Sequence, residues 1–329
     1  MTHNLTRHIK NLLPCKERLS RLYHQYKGRE RRVSYGKENP DKVFYVTGQD
    51  DLGGGLFWLV NKVVMHLAYA KDKGYITVVD YQNHLTQYTR PDSAGKTNVW
   101  ELFFRQPMGY TLDDIRHSRH IVINKMEPSP KPEYLMGQYE FYDRPERLEY
   151  FRNIFQEYIR FNERTQAHLE QQRERLLGDR RTVGVLCRGT DYVLLKPEGH
   201  PVQPEPEDVV ADVRKVMQRY DCQQVFLATE DQDILDLFKQ SFPKRLAYLE
   251  QMRLSKRQMS GKQVLSLEKM KRADRDPYDD ALQYLTAVYL LSRCNCFVAG
   301  RTGGTKGVLL MAHPFEYQKI YDLGLYKHT

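Results

Sequence analysis

The chain has no apolar run of membrane-spanning length, so no segment is expected to cross a bilayer as a helix. Its first residues, MTHNLTRHIKNLLP, lack the apolar core of a secretory signal or a membrane anchor. The cysteines, Cys15, Cys187, Cys222, Cys294 and Cys296, are odd in number and scattered. That usage argues against a disulfide framework and predicts reduced thiols in a cytoplasmic protein, at most apposed to the inner face of a membrane. Cys294 and Cys296 have no neighbouring histidine or second cysteine pair, so they are expected to pack in a strand and hold no metal. There is no GxGxxG and no GK[ST], which leaves neither a dinucleotide fingerprint nor a P-loop. No helix-turn-helix, zinc finger or aromatic RNA-binding motif accompanies the net charge of +9, so nucleic acid is not an expected partner.

What the chain does have is enough apolar material to fold. Of 329 residues, 40% are hydrophobic and 28% charged, a balance that suits two domains with their own cores. We divide them as 1–175 and 176–329. Residues 1–40 are basic and helix-prone, with Leu5, Ile9, Leu12 and Leu13 at helical spacing. The run Lys27 to Arg32 (KGRERR) is a solvated surface, with a peripheral membrane contact as its functional alternative.

The first half opens with strand Val43–Val46, the glycine-rich stretch Asp51-Leu52-Gly53-Gly54-Gly55, a helix over Leu56–Lys73 and a strand over Ile76–Asp80. This is a βαβ unit. Glycines in such a turn either bring backbone N–H groups to an anion or a sugar, or only tighten the turn. The aromatics of Asn98 to Pro107 (NVWELFFRQP) are expected in the core, with a sugar-lined cleft as the alternative. Pro145 to Leu177 is a long polar helical link.

The second half alternates strand and helix: strands at Val183–Cys187, Gln224–Ala228, Leu246–Leu249 and Cys296–Ala299, and helices at 208–219, 232–240, 281–291 and 308–311. Residues 251–276 are basic and irregular, in the manner of a lid. The pattern predicts a parallel sheet, whose ligands bind beyond the carboxyl ends of the strands. Three such ends are polar: Arg188-Gly189-Thr190-Asp191, Thr229-Glu230-Asp231 and Gly300-Arg301-Thr302-Gly303-Gly304. Arginine suits a phosphate, and a glycine-rich helix start offers N–H groups to one. Together they describe a diphosphate site, with the acidic tip available to a ribose or base.

The order RGTD, GHP, FLATED, apolar helix and strand-to-glycine turn resembles the α1,6-fucosyltransferase and nodulation-fucosyltransferase superfamily, including its bacterial glycan-biosynthesis branch. The resemblance covers about residues 180–325 and extends loosely to the 53–55 turn. It implies a GT-B-like α/β fold, two Rossmann-like domains facing across a cleft. It further implies inverting, metal-independent transfer from GDP-fucose to a glycan hydroxyl, with no cofactor beyond the donor. Residues 1–175 would then form the acceptor side and 176–329 the nucleotide-sugar side. By this resemblance Arg188 holds the donor's β-phosphate, with Asp191 ordering the loop beside Gly189. Thr229, Glu230 and Asp231 lie near the base or ribose, and Arg301, Thr302, Gly303 and Gly304 form the phosphate turn. Glu198 stands where relatives carry a carboxylate and is the candidate base, with Asp51 and His200 as rivals; Gly53, Gly54, Gly55 and His200 belong to the acceptor side. The chain departs from the family pattern at Leu186, where histidine is frequent, and at Arg301–Thr305, which replaces a serine-rich turn.

Overall fold

The computed structural model describes residues 30–124, 132–137, 140–255 and 275–327. The basic extension up to residue 29 and most of the lid-like stretch, 256–274, lie outside the described residues. Among the described residues no helix is long and apolar enough to cross a membrane.

Among the described residues, nine strands form two sheets. The first contains β1 (Arg31–Val33), β2 (Phe44–Thr47), β3 (Ile76–Val79) and β4 (Ile121–Ile123), in the order β1-β4-β2-β3. β2 is parallel to β3 and β4, whereas β1 is antiparallel on β4. The second contains β5 (Thr182–Leu186), β6 (Gln224–Ala228), β7 (Leu246–Tyr248), β8 (Cys296–Gly300) and β9 (Tyr317–Tyr321). Its order is β7-β6-β5-β8-β9 and every pair is parallel. The chain therefore winds one way from β5 and returns to its other side, which places a topological switch point between β5 and β8.

The helices are α1 (Leu56–Asp72), α2 (Leu112–Ile115), α3 (Glu140–Asp143), α4 (Pro145–Tyr158), α5 (Glu163–Leu176), α6 (Thr190–Leu195), α7 (Pro206–Arg219), α8 (Gln232–Ser241), α9 (Pro277–Leu291) and α10 (Gly303–Met311). Strand periodicity of two sorts the second sheet's side chains between two cores. Val183, Val185, Val225, Leu227, Cys296 and Val298 face α7 and α8, whose Val209, Val213, Ile234 and Phe238 meet them. Phe226, Ala228, Phe297 and Ala299 face the other way, onto α9 and α10. That second core does not stop at the sheet. It continues through Val288 and Leu310 to Phe57, Val60 and Val64 of α1 and to Phe151 and Ile154 of α4. The two halves are thus welded along α1, α4, α9 and α10. The approach of α1 to α10 is close enough that a Cβ on Gly307 would lie 2.2 Å from the Phe57 ring.

Two α/β halves about one cleft make the GT-B-like architecture expected from the sequence. Three details differ from the expectation, and one, the core position of the 98–107 aromatics, agrees with it. Residues 31–33 form an edge strand, not helix, because three residues of RRV find a partner edge in β4. The polar link is two helices, α4 and α5, separated at Ile159, Arg160, Phe161 and Asn162, where Asn162 caps α5. The tip after β5 coils into α6. Trp100, Phe103 and Phe104 are fully buried and belong to the core, with Trp100 and Phe104 stacked 4.4 Å apart.

Candidate active site

A cavity of about 800 Å³ opens at the carboxyl ends of β5, β6 and β8, against the start of α1. Its floor is apolar: Leu186 and Ala228 close the strand ends, and Tyr284, Ala287 and Val288 contribute one face of α9. Chemistry sits around that floor.

Arg188 lines the cavity from just beyond β5. Its Nε lies 3.3 Å from Oε1 of Glu230, with both side chains largely buried. The same Glu230 oxygen accepts the Gly189 N–H at 3.2 Å. Glu230 therefore fixes the guanidinium in place and ties the β5 and β6 tips together. Gly189 has no room for a side chain, since a Cβ would fall 2.1 Å from Oδ2 of Asp231. Asp231 is fully buried and caps α8, accepting the N–H groups of Asp233 at 2.8 Å and Ile234 at 3.3 Å. It does not line the cavity; its carboxylate serves the protein's own backbone. Thr229 and Glu230 do line it. The side chain of Asp191 lies outside the described residues.

At the end of β8, Thr302 caps α10. Its Oγ1 accepts the Thr305 N–H at 3.0 Å, and the Thr305 hydroxyl donates to the Gly300 carbonyl at 2.6 Å. Thr302, Gly303 and Lys306 line the cavity, so the first turn of α10 opens onto it. An α-helix leaves its first N–H groups without intrahelical partners, and the dipole favours an anion there. Gly304 lies behind this wall, held off the Tyr284 hydroxyl by its lack of a side chain: a Cβ would approach it to 2.7 Å. Arg301, expected to contact phosphate, is turned away and only 5% exposed. It binds Asp143 at 2.6 Å and Asp322 at 3.1 Å and lies 5.0 Å over the Tyr142 ring. Two carboxylates outside the cavity outcompete the cavity for this cation. Lys306 was not singled out from the sequence. It reaches the Gly137 carbonyl at 2.5 Å, and Tyr142 donates to the Thr302 carbonyl at 2.9 Å, so Gly137 and Tyr142 are both tied to the 300–306 turn.

The opposite wall is the 53–55 turn, and all three glycines line the cavity. Two of their N–H groups, those of Gly53 and Gly54, are already taken within the protein. Oδ1 of Asp51 accepts from Gly53 at 3.2 Å and from Gly54 at 2.6 Å, and its Oδ2 accepts from Trp58 Nε1 at 2.7 Å. The Tyr88 hydroxyl accepts the Leu56 N–H at 2.8 Å. The two walls are joined by Asn61, whose Nδ2 donates to the Gly303 carbonyl at 3.3 Å.

Of the three candidate bases, Asp51 and His200 line the cavity, whereas Glu198 is exposed and lies outside its lining. The loop of Glu198 and His200 is pinned by the C-terminal segment: Gly199 N–H donates to the Tyr326 carbonyl at 3.0 Å and Val202 N–H to that of Gly324 at 2.9 Å. Cys187, next to Arg188, is no nucleophile, because burial foremost and the nearby carboxylates of Glu230 and Asp231 push its thiol far above the usual range. Cys222, Cys294 and Cys296 are buried and free. Among the described residues no group of three His, Cys, Asp or Glu side chains is placed to hold a metal. Besides Lys306, reading the sequence missed Trp58, Asn61 and Tyr284. All three are on helices, where their apolar-periodic context reads as core.

No protein-family model and no curated sequence matches the chain. Solved structures similar to it include the NodZ α1,6-fucosyltransferase soaked with GDP-fucose, at 16% identity and a TM-score of 0.49, covering 82% of this chain and 93% of that one. The fucosyltransferase NodZ from Bradyrhizobium is similar at 15% identity and a TM-score of 0.45, over the same shares of both chains. POFUT1 in complex with GDP-fucose is similar at 11% identity and a TM-score of 0.48, covering 87% of this chain and 99% of that one.

Proposed function

We propose that the protein is an inverting, metal-independent glycosyltransferase that moves a sugar from a nucleoside diphosphate, GDP-fucose foremost, to a hydroxyl of a glycan in the cytoplasm. One observation carries the reading. The Arg188 guanidinium and the N-terminal turn of α10 open on the same cavity from the two strands that flank the switch point. A diphosphate spanning β5 and β8 would meet a cation at one end and a helix start at the other. The preference for guanine and fucose is supported by the RGTD, GHP and FLATED motifs.

In the transfer, the acceptor oxygen bonds to the anomeric carbon as the bond from that carbon to the β-phosphate oxygen breaks. The electron pair leaves with the diphosphate, and the acceptor proton passes to a base. Charge grows on the leaving oxygens, so groups held in advance by Glu230 and the Thr302 cap lower the barrier beyond their contribution to ground-state binding. Asp51, His200 and Glu198 are the groups to receive the proton, the first two from within the cavity. Comparing pH–rate profiles of the three glutamine or asparagine variants identifies which one acts.

A second reading, another nucleotide sugar as donor, is favoured by Leu186 in the cavity floor. Thermal unfolding in the presence of GDP, UDP, CDP and their sugars tests both readings. GDP at a hundred times its Kd should stabilise the protein by about 2.7 kcal/mol. Stabilisation by UDP or CDP alone would move the assignment to the second reading, and none by any nucleotide would sink the diphosphate site. Stabilisation without donor hydrolysis or transfer would leave a non-catalytic binder. Transfer that survives EDTA would support metal independence.

A further inference from the structure

The chain has two tryptophans, and they differ sharply in setting. Trp100 is 3% exposed in the core, whereas Trp58 is 47% exposed at the rim of the cavity. Leaving so large an apolar ring in water opposes the burial that drives folding. Nor is the ring loose. Oδ2 of Asp51 accepts its Nε1–H at 2.7 Å, and that carboxylate is itself fixed by two backbone N–H groups. Lys62 Nζ lies 4.9 Å from the ring centroid. A Cβ on Gly54 would strike Trp58 Cδ1 at 2.3 Å, so the glycine turn is shaped around the indole. The result is a rigid aromatic face, edged by the Asp51 carboxylate and by Gln87, whose amide is anchored on the Gly54 carbonyl at 2.8 Å.

We propose that Trp58 is the stacking platform for the acceptor sugar. This rests on the transferase reading above, and it gives the first-half wall the role of choosing the acceptor. A pyranose ring has one face of C–H groups that pack on an aromatic surface, and a girdle of hydroxyls that seek carboxylate and amide partners. The rim supplies both kinds of contact side by side. It does so opposite the strand tips assigned to the diphosphate, which is where an incoming hydroxyl must stand for inversion.

Trp58 is also the exposed fluorophore of the pair, so its emission reports on its own surroundings. The GDP-loaded protein is titrated with tetrasaccharides of β-linked N-acetylglucosamine, glucose, galactose and mannose, following tryptophan emission and, in parallel, heat of binding. At least one tetrasaccharide should bind and shift the emission to the blue. Trp58→Phe should abolish that optical signal while keeping binding within a few-fold, and Trp58→Ala should weaken binding about tenfold. Equal affinity in Trp58→Ala, or no binding of any of the four, would overturn the proposal. Stabilisation by GDP is measured on the same variants. If Trp58→Ala abolishes it, the ring stacks a nucleobase and the acceptor role is wrong. If the wild-type protein shows no stabilisation either, the transferase reading itself has failed.

Discussion

Two glycine-rich turns face each other across the cavity, and they do opposite things. The 300–304 turn follows a central parallel strand and starts a buried helix; Thr302 takes up the Thr305 N–H and the turn opens onto the cavity. The 53–55 turn looks like the better anion cradle, with three glycines in a row, yet Asp51 already occupies two of its N–H groups and the Trp58 indole as well. Glycine gives the backbone freedom to approach; whether an anion can use it depends on what else has taken the donors. On the proposed function, the 53–55 turn is the sugar wall and the 300–304 turn the phosphate wall.

Removing the cation of the diphosphate site should have the largest effect. Arg188→Ala should lower transfer by about 10²–10³-fold. Because it orphans the Glu230 carboxylate, Arg188→Ala with Glu230→Gln is measured beside it, with circular dichroism to confirm folding. Near-normal turnover in both would break the assignment of the diphosphate site.

Acid should separate the walls by stability. His66, on α1 beneath the sugar wall, is buried, and desolvation first, then the charge of Lys62, lowers its pKa to about 3. Its ring hydrogen-bonds Tyr45 at 2.8 Å and Asn124 at 3.2 Å. Below pH 6.5 the unfolded chain takes up a proton there that the folded chain refuses, so stability falls as pH drops from 6.5 towards 3. Between pH 6.5 and 5 the loss from this group is roughly 2 kcal/mol. Chemical denaturation of His66→Gln should lose that part of the slope; an unchanged slope would remove His66 as its source.

The caps test the comparison directly. Thr302→Ala should cost about 1 kcal/mol of stability and weaken stabilisation by GDP. Asp51→Ala should release the Gly53 and Gly54 N–H groups without weakening the response to GDP. If the two variants respond to GDP in the opposite order, the walls have been assigned the wrong way round. The smallest effect is expected at Gly53, where a Cβ meets nothing within 4 Å. Gly53→Ala should stay within about 0.5 kcal/mol of wild type by denaturant melts.

The legible parts of the fold were those with strong local signals. β6 was placed to the residue, and α1, α7, α8 and α9 were recognised from apolar periodicity. β1, β4 and β9 were missed because RRV, IVI and YQKIY are too short or too polar to stand out as buried runs, and they take their place by pairing with neighbouring strands. Within the site, Arg188, Thr229, Glu230, Thr302, Gly303, the 53–55 glycines and His200 come together around one cavity. Arg301, Asp231, Gly304 and Glu198 do not enter its lining, and nothing local distinguishes them from those that do. Arg301 was captured by Asp143 and Asp322, residues 158 and 21 positions away along the chain.

By itself the sequence determined which elements could form and where polar groups would end them, because those depend on spacing within a few residues. The parallel second sheet and its polar strand tips follow from that. Only the tertiary structure decided which polar groups were left for a ligand. Hydrogen-bond donors and charges are claimed by whichever partners folding brings within about 3 Å, and for Arg301 those partners, Asp143 and Asp322, lie far along the chain from the turn that carries it.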